Sequence, residues 1–395
     1  MIKREKYLCK IREFYDSDLI KVIIGIRRCG KSVLLKQIME ELKIDDAHII
    51  YINFEDVEYA FIKDYLDLNH YVKEKIIDDK KYYLFFDEIQ LVTEWEKAIN
   101  SFKVTLNVSI FVTGSNSKLL SSELATLLSG RYVSFKISPF SFNEVIELKG
   151  IKDRRDIEDA FNDYLLWGGL PQRFEFKTED GMKTYLSDVF DAIVLKDIVK
   201  RHNIKNITLF ERVMEYLVTN PSQVFSPTNM LREFSKEEIP ISTRTIYECL
   251  DYAESSLLMS KVSSFDIRGK RILSRKDKYY LSDLGLGQIL NVNKKTQFGA
   301  YLENVVYNEL IYRGYNVSVG NNNGKEIDFI ATKYNKKEYY QVTYTLASKE
   351  TEEREFGAYS NIDDNYPKYV ISTDKLDYSQ NGIIHKNIID FLLEE

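Results

Sequence analysis

Between Leu19 and Gly130 the chain alternates short apolar runs with amphipathic stretches of helical period. Apolar runs at Ile20–Ile24, His48–Phe54, Tyr82–Phe86 and Val108–Thr113 read as strands, and Lys31–Leu42 carries the first helical spacing. Strands separated by helices predict a parallel α/β sheet. A polar, helix-rich section follows from about Ser141 to Gln223, broken at Trp167-Gly168-Gly169-Leu170-Pro171. Two glycines and a proline there predict an interhelical turn. Pro227–Phe234 and Ser242–Ala253 then read as two short helices, and the following segment as a hairpin around Arg268-Gly269-Lys270. Helix, turn, helix and hairpin, from Ser226 to about Leu290, predict a winged helix. From Gly299 a helix with Tyr301, Leu302, Val305, Val306 and Leu310 on its apolar positions precedes strand-like runs at Tyr315–Val319, Glu326–Thr332 and Glu338–Tyr344, a separate α/β unit.

Length changes this picture little: 395 residues suit two to four domains with a sizeable core. A formal charge of −6 excludes a protein coated in basic surface, so nucleic-acid contact must come from a local patch. The N-terminal residues lack the apolar run of a signal peptide and no stretch approaches a membrane span, so the expectation is a cytoplasmic protein without membrane contact. Cys9, Cys29 and Cys249 are widely spaced, which fits a reducing compartment and small packing roles. His48, His70, His202 and His385 form no spaced cluster.

The chemistry lies at the ends of the predicted strands. Gly25-Ile26-Arg27-Arg28-Cys29-Gly30-Lys31-Ser32 follows the apolar run Val22-Ile23-Ile24 and leads into the helix that carries Val33-Leu34-Leu35. This is the phosphate-binding loop pattern in its proper context: glycines let successive N–H groups turn inward, and the helix adds the positive end of its dipole. Lys31 is expected to reach the β- and γ-phosphates of ATP and Ser32 to ligate Mg²⁺. The run Tyr82–Phe86 ends in Asp87 and Glu88, the first expected to hold Mg²⁺ through water, the second to polarise the attacking water. At the end of the run Val108–Thr113, Ser115 or Asn116 is expected either to touch that water or the γ-phosphate, or to cap a helix. Arg131 is a candidate for stabilising the transferring charge, in cis or across a subunit interface, with a surface salt bridge as its other role.

With these residues the chain resembles a prokaryotic family of AAA-like ATPases, an AAA_14 domain followed by a DUF4143 domain. The resemblance is carried by Gly25–Ser32, Phe86-Asp87-Glu88-Ile89-Gln90, Gly114-Ser115-Asn116, Ser129-Gly130-Arg131 with Pro139-Phe140-Ser141-Phe142, and Gly168-Gly169-Leu170-Pro171. It implies an ATPase core over 1–140, a helical lid over 141–223, a winged-helix segment over 224–294 and a PD-(D/E)XK nuclease-like domain over 295–395. Such a nuclease needs a helix acid, a strand-end Asp and an acid-x-Lys on the next strand to hold a metal and activate water. Glu303 and Asp328 match; Gln341 and Thr343 stand where the acid and lysine belong, so this centre is expected to be degenerate.

Lys261–Lys278 carries seven cations against Asp266 and Asp277, with Phe265, Tyr279 and Tyr280 close by, and is the expected DNA contact if there is one. The preceding helix sets Arg244 against Glu248, Asp251 and Glu254, which phosphates would repel. A protein partner or a second copy is the other expected role. The leading expectation is a Mg²⁺-dependent ATP-hydrolysing switch or motor; the alternatives are a non-catalytic ATP-binding scaffold and an ATP-gated nuclease.

Overall fold

The computed structural model describes residues 2–394 apart from 117–118, 120–125, 129, 200–203, 205, 221, 237–239 and 290–297, and of 273–276 only the backbone. Ser129 and His202 therefore lie outside the described residues, as do the side chains of Arg275 and Lys276. The chain divides into two compact units, Met1–Ser138 with Ser255–Leu257, and Pro139–Glu254 with Leu258–Glu395.

The first unit is built on a parallel sheet of β1 (Ile20–Gly25), β2 (Ile49–Asn53), β3 (Tyr82–Asp87), β4 (Val108–Gly114) and β5 (Tyr132–Ile137), ordered β2-β3-β4-β1-β5. Burial explains the sequence pattern: β1 and β3, inside the sheet, are buried at every position, whereas the edge strand β2 alternates. Helices α1 (Glu5–Arg12), α2 (Lys31–Leu42), α3 (Tyr65–Lys75) and α4 (Trp95–Thr105) supply apolar stripes to this core. Insertion of β4 between β3 and β1 brings the residues after β4 between the phosphate-binding loop and the acidic strand end.

One charge is buried in the middle of this sheet. Lys21 on β1 is fully buried; its ammonium donates to Ser109 Oγ at 2.7 Å and to the Ser17 carbonyl at 3.2 Å, and faces the Phe111 ring. Burial lowers its pKa to about 7. The folded chain thus sheds this proton near pH 7 and the unfolded chain only near 10.5, so the cost of burying the charge is full below pH 7 and vanishes above the unfolded value. Stability of the wild type relative to Lys21→Met is expected to rise between pH 7 and 10, by a few kcal/mol at most. Denaturant titrations of both proteins across that range check it; parallel curves would refute it.

The second unit begins with helices Phe142–Lys149, whose Ser141 and Glu144 form a capping box, Arg154–Trp167 and Glu179–Ala192. The Gly-Gly turn between the latter two has a specific partner. Asp283 Oδ2 accepts the Gly169 N–H at 2.7 Å and Oδ1 accepts the Gly285 N–H at 2.9 Å, and burial pushes this carboxyl up to about 6. Gly168 has φ +70°, and a Cβ there would stand 2.0 Å from Asp283 Oδ1.

Helices Pro227–Lys236 and Thr243–Ser255 and the hairpin β6 (Met259–Asp266) and β7 (Arg271–Leu281) follow in the expected order. The hairpin is not free-standing. It is part of one seven-stranded mixed sheet with β8 (Asn316–Asn322), β9 (Lys325–Lys333), β10 (Lys336–Val342), β11 (Lys368–Ser372) and β12 (Ile384–Asn387), ordered β12-β11-β10-β9-β8-β6-β7. The join is the parallel pairing of Ser264–Asp266 with Val319–Asn321. Helix Phe298–Tyr312 packs on this sheet, and Ile327, Ile330, Tyr339, Phe356 and Val370 form its core. Among the described residues no helix is long and apolar enough to cross a membrane.

Candidate functional site

The site forms at the C-terminal ends of β1, β3 and β4, where parallel strands leave backbone groups free and helices begin. Gly25, the last residue of β1, has no room for a side chain: a Cβ would lie 2.5 Å from both Cys29 Sγ and the Ile137 carbonyl. The loop can therefore fold tightly over β1 only with glycine there. Arg28 and Gly30 both take positive φ, 67° and 102°, which turns the loop into the first turn of α2. Ile26 and Cys29 are buried beneath it, Arg28 points to solvent, and Ser32 and Val33 sit half-buried in that first turn. Arg27 pairs with Glu55 at 2.9 Å. The result is a cradle of N–H groups at a helix N-terminus, a donor set suited to phosphate.

Lys31 is 4% exposed, and its ammonium donates to the carbonyls of Gly25 at 3.1 Å and Ile26 at 3.4 Å. It also meets Glu88 Oε1 at 3.2 Å. Burial opposes both charges, but each outweighs that effect on the other, so the Lys31 pKa is raised and the Glu88 carboxyl held below its ordinary value. The pair is ionised. Glu88 takes positive φ, 56°, an uncommon conformation for a side-chain-bearing residue, held by its N–H bond to Thr113 Oγ1 at 3.0 Å. Gln90 Nε2 donates to its second oxygen.

Asp87 is fully buried, accepting from Thr113 Oγ1 and, at 3.2 Å, from Tyr51 OH. Sheet register explains why: Asn53 lies beside Asp87 across β2 and β3, while Phe86 lies beside Val112 across β3 and β4. Ser115 is buried with a hydroxyl that has no hydrogen-bond partner, and Gln90 Oε1 nearby on the acidic side is likewise unpaired. Such an orphaned donor is what a phosphate oxygen or water would satisfy. Asn116 is buried beside it; the segment that would show a helix cap, residues 117–118 and 120–125, lies outside the described residues.

Arg131 stands apart from these groups. Its carbonyl accepts the Ile20 N–H, which puts it at the N-terminal end of β1, the opposite edge of the sheet from the phosphate-binding loop. Five strand steps separate the two, roughly 17 Å. The structure therefore does not bring Arg131 to the loop of its own chain.

Several groups here escaped sequence reasoning. Arg4, buried near the N-terminus, donates to the Cys29 carbonyl of the loop at 3.2 Å and to the Ser138 carbonyl at 2.9 Å. Gln37 on α2 holds the same segment, accepting the Arg4 N–H and donating to the Ile2 carbonyl. Tyr51, Gln90 and Thr113 complete the acidic end. Of these only Gln90 lies in a motif, Phe86-Asp87-Glu88-Ile89-Gln90, and there without a role of its own; strand adjacency is the signal that would have found Tyr51 and Thr113.

The basic hairpin is less basic than its sequence. Lys261 pairs with Asp277 at 3.2 Å and Arg271 approaches Asp266 at 4.0 Å. Lys278 turns inward and is 3% exposed, against Glu303 and Glu326. Arg268, Lys270 and Arg271 remain exposed at the tip. Among the described residues no three His, Cys, Asp or Glu side chains are disposed to hold a metal.

Residues 17–146 match the AAA domain family, in agreement with the expected ATPase core. Residues 158–297 match a domain of unknown function, DUF8612, which replaces the DUF4143 assignment expected from the resemblance. An uncharacterized protein of Haemophilus influenzae is 39% identical over 400 residues, covering 100% of this chain and 99% of its own. An uncharacterized protein of Methanocaldococcus jannaschii is 35% identical over 356 residues, 86% of this chain and 78% of its own. The Aeropyrum pernix ORC1 protein in complex with DNA aligns with 74% of this chain and 93% of its own at 11% identity and a TM-score of 0.36. The replication initiator DnaA bound to AMPPCP and single-stranded DNA aligns with 63% and 86% at 16% identity and a TM-score of 0.27. The chain belongs to the family of its Haemophilus influenzae and Methanocaldococcus jannaschii relatives, and its first unit carries an AAA-like ATPase domain.

Proposed function

We propose that this member of the AAA-domain family hydrolyses ATP in a Mg²⁺-dependent reaction and uses the turnover as a switch or motor on a DNA or protein partner. The observation that carries this is the ion pair of Lys31 with Glu88 inside a cradle that also holds Asp87 and the unpartnered Ser115 hydroxyl. Loop N–H groups and Lys31 would take the phosphates of ATP. The Ser32 hydroxyl and Asp87 would hold Mg²⁺, which supplies positive charge to the phosphate oxygens. Phosphates that engage Lys31 compete with Glu88 for it. Binding of ATP thus releases the Glu88 carboxylate to orient water and accept its proton, while Ser115 donates to the water or to the γ-phosphate. A scaffold that merely stored ATP would have no use for an acid poised in this way.

The exposed hairpin tip, Arg268, Lys270 and Arg271, supports DNA as the partner. The test is the rate of ATP hydrolysis with and without double-stranded DNA, and DNA affinity as a function of salt. DNA is expected to raise the rate. Neutralising the three tip cations is expected to weaken binding and flatten its salt dependence by about 0.9 log unit per lost phosphate contact. An unchanged rate with DNA, or full affinity and slope in the triple variant, would shift the partner to protein.

A further inference from the structure

The nuclease-like centre of the second unit contains a cation of its own. Lys278 and Tyr280, two apart on β7, share the face of the sheet that meets helix Phe298–Tyr312. The Lys278 ammonium lies 2.9 Å from Glu303 Oε1, 2.6 Å from Glu326 Oε1 and 4.0 Å from Asp328 Oδ1. Tyr280 OH donates to the same Glu303 oxygen at 2.7 Å. Three acids that sequence distance would spread over a helix and a strand thus converge on one nitrogen, delivered by a hairpin that precedes them both.

The resemblance to PD-(D/E)XK nucleases implies a divalent metal ion between Glu303 and Asp328, and the residues present do not fit one. Asp328 Oδ2 is taken by the Val342 N–H at 2.7 Å. Gln341, where the third ligand belongs, spends its oxygen on the Asp328 N–H at 2.7 Å and turns its amide nitrogen to Glu355 at 2.8 Å. Thr343 brings no positive charge. An ammonium has three donors, enough for the three carboxylates around it. It is also tethered, so a hydrated dication would have to displace a cation of high local concentration while shedding its own water.

We infer that the Lys278 ammonium is the resident cation of this centre, standing where a nuclease would hold its metal ion, so that the centre locks the hairpin to the C-terminal sheet instead of cutting phosphodiesters. This is independent of the ATPase reading, since every group involved lies in the second unit. It also removes Lys278 from any DNA-contacting surface.

The test is titration of the nucleotide-free full chain with Mn²⁺, counting bound ions by electron paramagnetic resonance. Wild type and Asp328→Asn are expected to bind equally. Lys278→Gln, which keeps a hydrogen-bond donor but not the charge, is expected to gain one Mn²⁺, lost again in Lys278→Gln/Asp328→Asn. A wild-type Mn²⁺ site that Asp328→Asn abolishes would overturn the inference, as would a Lys278→Gln variant that folds, by circular dichroism, and binds no more than wild type. If Lys278→Gln does not fold, the comparison of wild type with Asp328→Asn decides alone: equal binding supports the inference and unequal binding overturns it.

Discussion

Glu88→Gln is expected to bind ATP with near wild-type affinity and to hydrolyse it at least about 10²-fold more slowly, because the amide can neither orient water as an ionised carboxylate does nor accept its proton. Its hydrogen bond with Gln90 and its place just after β3 need not change, so the effect falls on the chemical step. Lys31→Ala is expected to fail earlier. It removes the charge that faces the phosphates, and it also strands the Glu88 carboxylate, largely buried, without its counterion. Both consequences weaken ATP binding, which fluorescence titration with a labelled nucleotide would read separately from phosphate release. Glu88→Gln turning over at the wild-type rate would remove Glu88 from the mechanism, and Lys31→Ala binding ATP normally would remove Lys31.

Gly168→Ala is expected to cost about 3 kcal/mol or more, among the largest losses for any single methyl group added to this chain. Two effects combine. The position has φ +70°, which costs an L-residue roughly 1–2 kcal/mol, and the new Cβ would sit within 2.0–2.6 Å of the Asp283 carboxylate. Moving that carboxylate breaks its bonds to Gly169 and Gly285, and a buried acceptor left unsatisfied adds about 1–3 kcal/mol. Urea denaturation checks the loss. If the clash is the cause, Asp283→Ala in the same chain relieves part of it, and the double variant loses less than the two single losses together. Strict additivity would contradict this account.

The local parts of the structure were legible in the sequence. The strand, loop and helix around Gly25–Ser32 follow from a run of β-branched residues, glycines and a helical period, and α2 spans the stretch that period predicts. Asp87 and Glu88 were legible as the end of an apolar run. What sequence could not supply was adjacency. Thr113 reaches Asp87 because β4 inserts beside β3, and nothing in either strand announces its neighbour. Arg131 follows the same rule in reverse: the segment before β5 hides which end of the sheet it reaches, and only the pairing with β1 puts it far from the loop. Gly168-Gly169 was readable as a turn, but not that Asp283, 114 residues on from Gly169, fills it. Lys278 was counted as a surface cation, since hairpin residues commonly face solvent, yet the pairing of β6 with β8 turns that strand toward Glu303 and Asp328.

The most direct test of ATP hydrolysis at this site is a single-turnover measurement, in which excess protein is mixed with trace labelled ATP and Mg²⁺ and quenched over time. The account predicts that wild type converts bound ATP to ADP and phosphate, that EDTA stops the conversion, and that Glu88→Gln holds the label as ATP. Wild-type protein that binds the label and retains it as intact ATP throughout would contradict it and leave a chain that stores nucleotide without using it.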